Sequence, residues 1–135
     1  MTAPAAELQK AVFAALSGDA ALLAALGAGK VFDHVPAGTA FPYVTFGRTS
    51  VYDWSTATES GTEQLFTLHV WSKARGKAEA LAVLELIGAI LHDQPLVLDG
   101  HALVNLRREF ADVRHDEDLD LYHGLARFRA VTEAA

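Results

Sequence analysis

Between Thr62 and Asp93 the hydrophobic pattern changes period once, and the rest of the chain is arranged about that change. From Gln64 to Trp71 the residues alternate, with Phe66, Leu68 and Val70 on one side and Thr67 and His69 on the other. Period-two alternation predicts a strand with one buried face. The basic linker Lys73-Ala74-Arg75-Gly76 breaks it, and helical periodicity follows from Lys77 to His92. Projected at about 100° per residue, Ala80, Val83, Leu84, Ile87, Ile90 and Leu91 share one broad arc, predicted to lie on the sheet. Lys77, Glu85 and His92 form a polar strip that includes Leu81. A third arc holds the small residues Ala78, Ala82 and Ala89, with Leu86 at its edge, and it lets another helix approach closely. The chain's own N-terminal helix is the first occupant expected there, a neighbouring subunit the second.

Upstream, Pro4 suits the first turn of a helix that places Leu8, Val12, Ala15 and Leu16 on one face. Ser17-Gly18-Asp19 stops this helix and caps a shorter one, Ala20 to Leu26, closed by Gly27 and Gly29. Val31 to Val35 is a brief strand candidate. A second strand starts after Pro42 and runs to about Tyr52, with Val44 and Phe46 on one face and Tyr43 and Thr45 on the other. The polar stretch Asp53 to Gly61 has neither period and is longer than the ~2–5 residues of a common hairpin loop, which marks it as a binding loop or a mobile one. His101 to Phe110 reads as a strand with Val104 and Leu106 on one face and Leu103, Asn105 and Arg107 on the other. Arg108 falls where an apolar residue is expected, so a bulge is predicted nearby. Ala111 to Asp120 reads as a charged turn. Leu121 to Thr132 alternates again, Tyr122, Gly124, Ala126, Phe128 and Ala130 against His123, Leu125, Arg127 and Arg129. The expected fold is α+β: an antiparallel sheet with helices on one face and a polar opposite face.

Composition narrows the function classes. At 135 residues the chain is predicted to form one domain, residues 1–135, with a real core. No apolar run approaches the ~18 residues of a membrane span, and the N-terminus lacks the basic and apolar regions of a secretory signal. The absence of cysteine excludes disulfides and thiolate chemistry and fits a reducing cytoplasm. A net charge of −6 argues against broad nonspecific DNA binding.

Motifs for catalysis are missing. The acidic run Asp112, Asp116, Glu117, Asp118 and Asp120 with His115 lacks the glycine and closing glutamate of a calcium loop and reads as a solvated hairpin tip. His69, His101 and His123 could converge on the polar face as a three-histidine metal site, the premise of a metal-dependent enzyme. No nucleophile elbow, P-loop or zinc-protease helix occurs, so no enzyme and no cofactor are expected. A small-ligand binding domain is the rival outside the structural class. The feature with more content is charge segregation. Arg107, Arg127 and Arg129 lie on the outward face, and the acids crowd into the turn, so one subunit's acids could meet the next subunit's arginines.

Taken in order, F-P-Y-V-T-F-G from Phe41, the polar loop, E-Q-L-F-T-L-H-V-W-S from Glu63 with G-K-A-E-A, and Y-H-G-L-A-R-F-R-A from Tyr122 resemble one family. They are similar to the tail terminator, or tail completion, proteins of tailed phages and gene transfer agents, a small family long labelled a domain of unknown function. The likeness spans Leu8 to Thr132; in the last hairpin turn Asp118-Leu119-Asp120 replaces the Asp-Gly frequent in those relatives. The resemblance implies a homo-hexameric ring that ends the tail tube and joins it to the head connector, with DNA passing through the lumen unbound. It implies the tail tube protein and a connector or adaptor as partners, no membrane, and assembly in the bacterial cytoplasm before incorporation at the head-tail junction. Another connector or neck adaptor protein is the nearest rival. Within that frame Trp54, Ser55, Thr56, Thr58, Glu59 and Glu63 are expected to contact tube or connector. Arg107, Arg127 and Arg129 against Asp116, Glu117 and Asp118, with Ala78, Ala82 and Ala89, are expected between subunits.

Overall fold

The computed structural model describes residues 3–135. These form α1 (Pro4–Ser17), α2 (Ala20–Leu26), β1 (Val31–Phe32), β2 (Tyr43–Asp53), β3 (Gly61–Ser72), α3 (Ala78–Leu91), β4 (His101–Asp116) and β5 (Leu121–Ala134). The five strands make one sheet in the order β1-β2-β3-β5-β4. The α+β expectation holds, with one correction to the sheet: β1 runs parallel to β2, while the other pairings are antiparallel. The segment 33–42 carries the chain back along the sheet before β2 begins, so both strands point the same way.

Helix boundaries follow local chemistry. Asp19 caps α2 by accepting from the Leu22 N–H at 2.9 Å, and Gly27 closes it in the left-handed region at φ 86°. The inner face of the sheet carries Val44, Phe66, Leu68, Val70, Ala126, Phe128 and Ala130, all buried. On it lie Ala80, Val83, Leu84, Ile87 and Leu91 of α3, with Leu8, Val12 and Leu16 of α1 and Leu22 and Leu26 of α2 completing the core. Phe66 and Phe128 stack across β3 and β5 with ring centroids 5.3 Å apart. Each fully buried side chain of this size contributes about 1.5–3 kcal/mol. Ala78, Ala82 and Ala89 stay exposed: α1 and α2 pack against α3 without covering them, so the expected cover by the chain's own N-terminal helix is absent.

Strand β4 departs most from expectation. It continues to Asp116, so the turn is Glu117–Asp120 rather than Ala111–Asp120. Residues 111–116 alternate Ala111, Val113, His115 against Asp112, Arg114, Asp116, an alternation hidden by the smallness or polarity of both sets. Two bulges interrupt the strand, between Leu103 and Asn105 and between Arg108 and Phe110. The first throws Val104 outward, 48% exposed, and turns Leu103 onto the core in place of the expected Val104–Leu106 face. Arg108 does sit on the inner face. Its Nη1 donates to the Leu84 carbonyl at 3.1 Å, and its guanidinium lies over Gly88, where a Cβ would come within 2.5 Å of Nη1. A glycine in the helix makes room for a charged side chain at a core position.

Candidate assembly surfaces

The loop after β2 is built, not loose. Trp54 N–H donates to the Gly61 carbonyl at 3.0 Å, and Gly61 N–H donates to Ser55 Oγ at 3.1 Å. Thr56 Oγ1 accepts from Glu59 N–H at 3.0 Å, and Thr56 N–H donates to the Glu59 carbonyl at 2.8 Å. The Ser55 hydroxyl and backbone hydrogen bonds hold the Asp53 carboxyl below the usual carboxylate range. Every residue from Val51 to Ser60 is exposed, so Trp54, Ser55, Thr56, Thr58 and Glu59 form a polar rim around one half-exposed indole. Glu63 lies elsewhere. It is half-buried on β3 and accepts from Arg129 Nε at 2.6 Å, so two residues expected at different interfaces meet inside one chain.

Among the described residues no helix covers the outer face of the sheet. Arg107 and Arg127 are exposed on it, Arg127 lying 5.5 Å from the centroid of the Phe110 ring. Arg48, Ser50, Tyr52, Leu65, Thr67, Glu109 and Arg127 line an open depression of about 350 Å³. Further along, His69 Nδ1 and His123 Nε2 are 2.6 Å apart, Trp71 stacks on His123 at 4.1 Å, and the Trp71 indole N–H donates to Thr45 Oγ1 at 3.0 Å. Gly47 opposite leaves space for the His69 ring, which any Cβ there would strike. Burial lowers the His69 pKa; burial first, then the His69 and Arg114 charges, lowers that of His123. His101 does not join them. It pairs with Ala134, eleven residues from His123 along β5, or about 36 Å. The three-histidine convergence is therefore corrected to a two-histidine pair.

The acidic turn occupies the far end of the sheet from the Trp54 loop. Asp116 Oδ1 accepts from Leu119 N–H at 3.0 Å, and Asp120 takes φ 48°, the backbone position for which glycine is best suited. His115 Nε2 lies 3.1 Å from Asp120 Oδ1. Six residues of β5, about 20 Å, separate Leu121 beside this turn from Arg127, so the segregated charges do not meet within one chain. Sequence reasoning missed Arg48, Phe110 and the stacking of Trp71 on the His69–His123 pair. Gly47 facing His69 across β2 and β3 is the one sequence signal that pointed to the last of these.

With these surfaces placed, comparison with known proteins sets their context. The family model of the tail completion protein gp17 matches residues 10–133. A chain in the solved virion of a native gene transfer agent (GTA) particle shares 36% sequence identity and superposes with a TM-score of 0.91, covering 99% of this chain and 100% of that one. No curated protein matches. The chain belongs to the tail completion protein gp17 family, structural proteins of phage and gene-transfer-agent tails.

Proposed function

We propose that this protein forms a hexameric ring that ends the tail tube and joins it to the head connector of a phage or gene transfer agent. The observation that carries the reading is the full-length likeness to a chain of an assembled GTA virion. The protein acts through interfaces rather than chemistry, as one domain without a cofactor. The rim of Trp54, Ser55, Thr56, Thr58 and Glu59 contacts the tube or connector along the ring axis. Arg107 and Arg127 of one subunit face Asp116, Glu117 and Asp118 of the next. Arg129 keeps its Nη donors for that contact while Nε holds Glu63. The exposed Ala78, Ala82 and Ala89 offer a second, close-packing subunit contact. The net charge of −6 suits a lumen through which DNA slides unbound. Assembly takes place in the bacterial cytoplasm, and the ring then stays in the particle at the head-tail junction.

Native mass spectrometry across concentration, with and without purified tail tubes, tests this. A hexamer, or a monomer that caps tube ends as a six-fold ring, is the expected result. A monomer that ignores tubes at every concentration overturns the reading.

A further inference from the structure

The sheet has two edges, and each is closed over one half only. β4 is the edge strand on one side. Its Leu106 carbonyl accepts from Asp93 N–H at 2.8 Å, and its Arg108 N–H donates to His92 Nδ1 at 2.9 Å, so the end of α3 covers its first half. Those bonds also fix which residues point outward. Beyond the bulge at Glu109, residues 110, 112, 114 and 116 bond toward β5, and Ala111, Val113 and His115 aim N–H and C=O away from the sheet. Among the described residues nothing bonds to these groups.

On the other side β1 covers β2 only near Val44, whose N–H donates to the Lys30 carbonyl. Trp54 N–H bonds inward to Gly61, which makes Tyr52 and Ser50 inward-bonding and leaves Thr49, Val51 and Asp53 pointing out. The free halves lie at opposite corners. Val113 pairs with Gly124, whereas Val51 pairs with Gln64, which pairs with Ala130. The offset is six residues along β5, about 20 Å.

We propose that these two edges pair with each other between copies of this chain, β4 of one subunit adding antiparallel to β2 of the next. This deepens the ring reading and rests on it. β2 and β4 run in opposite directions across the sheet, so a neighbour placed alongside by rotation about the ring axis presents the required antiparallel strand. With Val113 opposite Val51, Ala111 meets Asp53 and His115 meets Thr49. All six residues are then outward-bonding and all six side chains lie on the helix side. The alternate positions put Arg114 opposite Ser50 and Asp116 opposite Arg48, an opposite-charge cross-strand pair. Phe110 comes beside Trp54 and Asp112 beside Tyr52, which covers Phe110, Tyr52, Trp54 and Val51, each 45–52% exposed in the free chain. The same 20 Å offset separates the acidic turn from Arg127, so this register carries Asp116 to the rim of the depression that Arg48 shares with Arg127. Each subunit adds four long strands, a sideways step of about 19 Å, and a closed ring absorbs the offset by tilting the strands about 45°, as closed barrels do.

The chain has no cysteine, so an added pair reports this contact alone. Ser50 and Arg114 sit on opposite edges of one subunit with β3 and β5 between them, and cannot link to each other within it. In the proposed ladder they form a pair not bridged by hydrogen bonds, with Cα atoms about 4.5 Å apart, inside the range of a disulfide. The S50C/R114C variant, oxidised mildly at ring-forming concentration with tail tubes present, is expected to give a reducible covalent ladder ending at six chains. Either single variant is expected to stop at traces of dimer. Six-fold rings by native mass spectrometry without that ladder overturn the edge pairing and leave the ring reading standing; no rings under any condition overturn both. Ala111→Pro removes one outward N–H and none of the β4–β5 bonds, and is expected to keep the monomer's melting temperature while abolishing the ring. Rings that survive it count against the pairing.

Discussion

The two faces of the sheet share one backbone and one period, yet they are held in different ways. The inner face is apolar over most of its area and depends on burial: Phe66, Leu68, Val70, Ala126, Phe128 and Ala130 are all buried beneath helices. The outer face has no helix above it among the described residues. Its order comes from specific polar pairs, Arg129 with Glu63 at 2.6 Å, His69 with His123 at 2.6 Å and Trp71 with Thr45 at 3.0 Å. Burial is non-directional and sets how stable the subunit is. Directional pairs add little net stability each, and what they fix is the shape a partner meets. Substitutions on the two faces should therefore separate into losses of folding and losses of presentation.

The largest effect belongs to the inner face. Phe128→Ala removes a fully buried ring stacked on Phe66 and should cost about 3–5 kcal/mol in urea denaturation. Arg127→Ala, next in sequence but on the outer face, should change stability by less than about 0.5 kcal/mol. Similar losses for the two would erase the distinction between the faces. A middle-sized effect tests the place where an arginine enters the inner face beneath α3. Gly88→Ala drives a methyl into the Arg108 guanidinium and should cost about 1–3 kcal/mol. In an Arg108→Ala background the same change should become neutral or stabilising by about 1 kcal/mol, because alanine is the better helix former. A cycle with no such reversal would show that Gly88 is not there for Arg108.

This contrast also explains what was legible in the sequence. Burial imposes a period, so Phe66, Leu68 and Val70, the α3 arc and the β5 alternation could all be read directly. The end of β4 could not: Ala111, Val113 and His115 are too small or polar to mark an inner face, and a turn was the better reading of so many charges. Val104 lies off the face its period predicts because a bulge shifts the count by one, and bulges leave no period of their own. The parallel pairing of β1 rests on two residues, too few to carry a direction. For the surfaces, the unpatterned polar stretch marks the Trp54 loop, but only adjacency in the chain joins Glu63 to it. Its bond to Arg129 spans 66 residues of chain and is set by the β3–β5 register.

The smallest effect concerns the histidine pair and should appear only as a slope against pH. With 2.6 Å between His69 Nδ1 and His123 Nε2, one ring must donate and the other accept, which requires at least one neutral imidazole. Burial lowers both pKa values, and the charges of His69 and Arg114 push His123 lower still against the opposing Asp112 and Asp116 carboxylates. The unfolded chain, with histidines near the ordinary value of about 6.5, takes up protons before the folded one does. The pair's contribution is thus complete above about pH 6.5 and is lost as pH falls from there through the lower folded values. Thermal melts of the wild type should steepen their decline below that point. The H69Q/H123Q double variant lacks both titrations, so its decline over the same window should be shallower, with the two curves parallel at pH 7.5 to 8. Parallel curves throughout would mean that both rings protonate in the fold as freely as in water, and that the outer face holds them no more firmly than solvent does.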